Sequence, residues 1–245
     1  MNKKQKQRQL DVAKECLLDE AKENDDFLDE LFLVYDEAAE RIKSDIQKIL
    51  IKFTDENGLS LEQAAEMLKG KEYSRWKKSI KKYLEEIEKE GAESKIALEL
   101  NTLSAKSRIS RKEQLLSEID KEMATLASTS NKEIKKHLTN VLVTNYYRGH
   151  YSIQKTFQLG FNVSKINKDL VNSILDYPWS TKKYSRTIWD NIDQLTETLR
   201  KELASGFIDG SSIQQMTKRI DNVLKKGKYV TERLVRTEAK YFAQQ

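Results

Sequence analysis

Residues 188–203 read IWDNIDQLTETLRKEL, and the placing of their apolar side chains decides the fold. Ile188, Ile192, Leu195, Leu199 and Leu203 follow one another at spacings of four, three, four and four. That is the period of an α-helix with one buried face. Upstream, Leu31, Val34, Tyr35, Ala38, Ile42, Ile46, Ile49 and Leu50 trace a similar stripe, and Ile134, Leu138, Val141 and Leu142 another. Downstream, Ile213, Met216, Ile220 and Val223 form a further one. The best strand candidate is LTNVLVTNYY (138–147), β-branched and aromatic, yet it continues a helical pattern on both sides.

Composition agrees. The 245 residues include only 8 Gly and 1 Pro, too few turn formers for a sandwich or barrel. Charged residues make up 34 % and the apolar class 38 %. The expectation is a mainly α, elongated multi-helix protein with much solvent-facing surface. The length suffices for one large domain or two smaller ones with a real core.

Local signals divide the chain. Residues 1–9 are polar and basic and read as a disordered tail. Residues 10–129 read as a charged helical arm or bundle, and 130–245 as a second helical domain. Within the arm, Asn24-Asp25-Asp26 reads as a helix break, and ENGLS (56–60) as a turn with Ser60 and Gln63 as a capping box. ASTSN (127–131) reads as a hinge, with Ser130 and Glu133 as a second box. Ser164 is the expected cap of KINKDLVNSIL, which Pro178 ends. Ser180 or Thr181 is expected to open the next helix. Gly206 is expected at its end, Ser211 with Gln214 as the following cap, and Gly227 as a break.

The charge is +5, and residues 181–245 carry it: 13 Lys and Arg against 8 Asp and Glu. A basic region suits a polyanion or an acidic protein surface. RWKKSIKKY (75–83) is the densest basic run, with interleaved aromatics. It makes Arg75, Lys77, Lys78, Lys81 and Lys82 candidate contacts to DNA. Trp76, Ile80 and Tyr83 share one face there, which is also the pattern of a packed core.

No active site stands out. His137 and His150 are too far apart for the i, i+4 pair of a zinc helix. Cys16, the only cysteine, excludes an internal disulfide and sits in an amphipathic stretch. GKEY (70–73) lacks the glycine spacing of a phosphate loop. No cofactor, metal or catalytic residue is expected. MNKKQKQRQL has no apolar run behind it and does not read as a signal peptide, and no stretch approaches the ~20 apolar residues of a membrane span.

The rare residues cluster at YPWSTKKYSRTIWDN (177–191), with Pro178, Trp179 and Trp189. Proline forbids helix continuation and holds Tyr177 extended, so this is a corner between two helices. Two indoles at a corner predict packing. The lysines after it give the next helix a basic first turn, which opposes the helix dipole and points to an acidic or anionic partner for Lys182, Lys183 and Arg186. Arg236-Thr237-Glu238 predicts an ion pair to another helix, such as the one bearing Lys183 and Asp190.

The order of these pieces resembles the phage head morphogenesis, or minor head protein, family. The resemblance rests on Trp179, Ser180, Lys183, Tyr184, Ser185, Arg186, Trp189, Gly206, Gly210, Ser212, Arg236, Thr237 and Glu238, and covers roughly residues 130–245. The family often has glycine where Thr181 stands, and many members continue into a Cys- and His-containing region beyond the Arg-Thr-Glu element. The resemblance implies a structural virion protein of a tailed bacteriophage, made in the host cytoplasm. It would be a minor capsid protein at the portal vertex, assisting head assembly and DNA packaging or delivery. Its implied partners are the portal protein, with scaffold and capsid proteins and double-stranded DNA as further candidates. Trp179, Lys182, Lys183, Arg186, Trp189, Arg236 and Glu238 would then form the docking or structural motif. The alternatives are a general helical DNA-binding protein, or the non-catalytic front of a larger phage-encoded enzyme or toxin.

Overall fold

The computed structural model describes residues 2–57, 111–208 and 211–245. Every regular element among them is a helix: α1 Lys3–Asn57, α2 Arg111–Phe157, α3 Lys168–Asp176, α4 Tyr184–Ile208 and α5 Ile213–Phe242. The mainly α expectation is therefore met. LTNVLVTNYY lies inside α2. Glu56 and Asn57 of ENGLS belong to the end of α1, while residues 58–60 with the capping box and the basic run at 75–83 lie outside the described residues.

Several expected breaks are not breaks. Residues 3–9, expected to be disordered, form the first turns of α1, which a reciprocal pair of bonds closes. Asn2 N–H donates to Gln5 Oε1 and Gln5 N–H to Asn2 Oδ1, each at 2.9 Å. This is a capping box with amides in place of serine and glutamate. Asn24-Asp25-Asp26 is mid-helix, as are ASTSN and Gly227. The cap of α3 is Asn167, whose side chain accepts from Asp169 N–H at 2.7 Å, not Ser164. The box before α5 is Ser212 with Gln215, one residue beyond the expected Ser211 and Gln214.

The chain forms two compact units, and neither coincides with 10–129 or 130–245. One comprises Leu33–Thr129 and Ile188–Val230, the other Met1–Phe32, Ser130–Thr187 and Thr231–Gln245. Four of the helices contribute segments to both.

Among the described residues, the first of these units is a bundle of four helical segments with a mainly aliphatic core. Tyr35, Ile42, Ile46, Ile119, Met123, Leu126, Ile192, Leu199, Leu203 and Ile220 are all nearly inaccessible. Those residues are the apolar stripes of the sequence turned toward one another. Ion pairs tie neighbouring helices together, two with exposed partners and one buried. Arg41 on α1 meets Glu122 on α2 at 2.7 Å, and Lys43 on α1 meets Asp221 on α5 at 2.5 Å. Arg200 on α4 meets Asp120 on α2. Burial raises the Asp120 carboxyl to about 6 against the pull of Arg200. At Gly227 α5 packs close against its neighbours. A Cβ there would stand 2.6 Å from Leu195 Cδ2 and 3.3 Å from Tyr35 Cε1. The glycine serves close packing, not chain reversal.

The second unit has a more mixed interior. Leu28, Leu31, Ile134, Leu138, Leu175, Val235 and Phe242 are buried beside Asn24, His137, Thr156 and Glu238. His137 Nε2 lies 2.7 Å from Asn24 Oδ1, and its ring stacks on Phe27 with centroids 4.0 Å apart and planes 3° from parallel. Burial lowers the imidazole to about 4, so it is neutral near pH 7 and donates from Nε2 to the amide oxygen. The residue that read as part of a helix break is a hydrogen-bonded core position.

Candidate functional site

The corner at Pro178 lies in the mixed unit. Tyr177 has φ −76° and ψ 123°, the extended conformation that the following proline imposes, and its N–H donates to Ile174 O at 3.2 Å to close α3. Trp179 N–H then donates to Tyr177 O at 3.0 Å, and Ser180 Oγ to Lys182 O at 3.1 Å. The next helix opens at Tyr184, three residues later than Thr181. Lys182 and Lys183 therefore precede α4 and do not form its first turn. Of the three cations only Arg186 lies within that turn.

The corner is clasped from the far end of the chain. Trp179 Nε1–H donates to Glu238 Oε2 at 2.8 Å, across 59 residues of sequence. The indole also stacks on Tyr241, with centroids 4.3 Å apart and planes 10° from parallel. Glu238 and Tyr241 are three residues apart on α5 and so present one face to the indole. Glu238 is only 4 % exposed, and burial raises its carboxyl while the indole bond opposes that rise. Tyr184, at the start of α4, packs edge-on to Phe242 with centroids 6.5 Å apart. Its phenol is raised to about 12 by burial and by the nearby Asp176 and Glu238 carboxylates. The phenol therefore stays protonated at any physiological pH.

These contacts correct two expectations. Glu238 bonds an indole, not a cation. Arg236 does make an interhelical ion pair, but with Asp25 on α1 at 2.8 Å, on the surface, and it also holds Glu232 at 2.9 Å. Lys183 pairs instead with Asp176 at 3.5 Å. The tryptophans also part company. Trp179 is half-buried in the clasp, whereas Trp189 is buried in the aliphatic unit beside Ile188 and Ile192. Both indoles are packing elements, Trp179 in the clasp and Trp189 among aliphatic side chains.

What faces outward around the corner is cationic and aromatic. Lys182, Lys183 and Arg186 are exposed, and Tyr177 is 63 % exposed. Elsewhere in the same unit, the end of α2 and the segment after it expose Tyr147, Tyr151, Phe157, Leu159 and Phe161. Backbone and ring contacts organise that segment. Tyr146 Oη donates to Ser164 O at 3.2 Å, Gln154 Nε2 donates to Phe161 O at 2.9 Å, and Phe161 lies edge-on to His150. Gln158 reverses the chain with φ 56°. Residues 146–187 hold seven Lys and Arg against Asp169 and Asp176, a net charge equal to that of the whole chain. The sequence reading found the cations but not this aromatic segment, whose signal was the density of Tyr and Phe from Tyr146 to Phe161.

No family model, curated protein or solved structure matches this chain. Among the described residues there is no group of three or more His, Cys, Asp or Glu side chains placed to hold a metal ion. No described helix is long and apolar enough to cross a membrane. Arg75, Lys77, Lys78, Lys81 and Lys82 lie outside the described residues.

Proposed function

We propose that this chain is a structural head protein of a tailed phage, carried in the virion as a minor capsid component. In this reading it binds the portal vertex through its mixed unit and assists head assembly and the packaging or delivery of DNA. The carrying observation is the Trp179–Glu238 bond. It joins the two ends of the motif order on which the family resemblance rests, so those residues act together as one corner. The corner holds Tyr177, Lys182, Lys183 and Arg186 at the surface. A surface with aromatic anchors and cations around them suits a large acidic protein partner, because aromatics supply most of the contact energy and charge sets orientation.

The test is co-elution with the portal ring encoded in the same genome. The unmodified chain is expected to elute with the ring. A variant carrying Y177S, K182E, K183E and R186E is expected to elute alone, with an unchanged helical circular dichroism spectrum. Failure of the unmodified chain to bind, or retention of the folded quadruple variant, would overturn the proposal.

A further inference from the structure

The stretch of α5 from Ile213 to Val230 has an outward face that the corner does not use. Lys218, Asn222, Lys225, Lys226 and Tyr229 recur at spacings of four, three, one and three, and all five are exposed. Met216, Ile220, Val223, Leu224 and Gly227 occupy the opposite, buried side. The other two cations of the stretch are engaged within the unit. Arg219 donates to Glu202 O at 3.2 Å and to Ser211 Oγ at 3.3 Å, and Lys228 meets Asp36 at 2.5 Å. The one acidic residue of the stretch, Asp221, is turned onto Lys43. Among the described residues, no carboxylate pairs with Lys218, Lys225 or Lys226.

We propose that this face is a sequence-independent binding site for the phosphate backbone of duplex DNA. The inference rests on the charge and exposure of this face alone and stands whether or not the portal reading does. From Lys218 to Tyr229 the face is about 16 Å long at the rise of an α-helix. Duplex DNA presents a negative charge every ~1.7 Å of axis, so three ammonium groups along one straight edge meet several phosphates without distorting either partner. Asn222 and the Tyr229 hydroxyl add hydrogen-bond donors of the kind that position a protein on a duplex. An acidic protein partner fits less well. Lasting protein interfaces need an apolar centre, and this face offers only Tyr229 and the neighbouring Val230.

The experiment is fluorescence anisotropy with a labelled 20-base-pair duplex of arbitrary sequence, titrated with the full chain at several sodium chloride concentrations. Three phosphate contacts predict that the logarithm of the binding constant falls against log salt with a contribution of about −3 to the slope. The K218E/K225E/K226E variant is expected to bind at least tenfold more weakly at low salt and to lose that part of the slope. The control variant K132E/K135E/K136E removes the same charge from an exposed stretch of α2 and is expected to keep the slope. Circular dichroism confirms that both variants fold. Equal losses in both variants, absence of binding by the unmodified chain at low salt, or equally tight binding to polyglutamate would each overturn the assignment.

Discussion

The two units solve the same problem, burying helical faces, with different materials. The unit built from Leu33–Thr129 and Ile188–Val230 uses aliphatic stripes, a buried Arg200–Asp120 pair and more exposed ion pairs around them. The other uses polar groups that must find partners: His137 with Asn24, Trp179 with Glu238. The surfaces differ in the same sense. Among the described residues, every exposed large apolar side chain apart from Leu33, Tyr229 and Val230 belongs to the mixed unit. Water does not favour such side chains outside unless something covers them in use. On the proposed reading, the contrast separates a unit built for stability from one built for a specified corner and an interaction surface.

If the aliphatic unit is the stabilising one, Trp189→Ala should produce the largest effect. Removing a buried indole costs about 3–5 kcal/mol, read as a lowered urea midpoint by circular dichroism. A smaller loss would weaken the contrast between the units.

The mixed unit should respond to pH through His137. His137 has a folded value of about 4 against 6.5 when free. Below 6.5 the unfolded chain takes up a proton that the folded chain refuses. The stability from keeping this ring neutral is therefore complete above pH 6.5 and is lost as pH falls toward 4. The loss amounts to about 3 kcal/mol. Urea midpoints measured from pH 7 to pH 4 should fall relative to those of His137→Gln, which keeps the raised Asp120 carboxyl, a group that acts in the opposite sense over the same range.

The clasp comes next. Trp179→Phe keeps the stack on Tyr241 but removes the donor from a buried carboxylate, costing about 1–3 kcal/mol. Glu238→Gln keeps an acceptor for the indole and should cost less. Trp179→Phe and Glu238→Ala each remove the whole bond, so combining those two should cost less than the sum of the singles. Strict additivity would mean that the bond contributes nothing.

The smallest effects come from two helical glycines, one in each unit. Gly149 has nothing within 4 Å of a built Cβ. Gly149→Ala should stabilise the chain by about 0.5–1 kcal/mol through helix propensity. Gly227→Ala gains the same propensity but forces Leu195 to shift, and should come out destabilised by about 1 kcal/mol. Thermal melts of the pair should therefore move in opposite directions.

The helices were legible where apolar periodicity was strong, as from Ile188 to Leu203. Their continuity was not. Asn24, Ser130 and Gly227 carry the local signature of a break, and a helix pays only about 1 kcal/mol or less for each. Tertiary contacts outweigh that cost: Asn24 bonds His137, and Gly227 admits Leu195 and Tyr35. A counter-signal was present in Val12, Cys16, Glu20, Asn24, Leu28, Leu31 and Tyr35, a stripe that runs unbroken through the supposed break. At the corner, Pro178 and the extended Tyr177 could be read in advance, because proline acts locally. The partner of Glu238 could not, since a bond across 59 residues depends on how separate helices meet.

The central claim, that the mixed unit is the interaction unit, is tested most directly by hydrogen–deuterium exchange on the chain alone and bound to the portal ring. The account predicts new protection within residues 146–187 and little change in the core helices of the aliphatic unit. Protection confined to the aliphatic unit, with 146–187 exchanging as in the free chain, would contradict it.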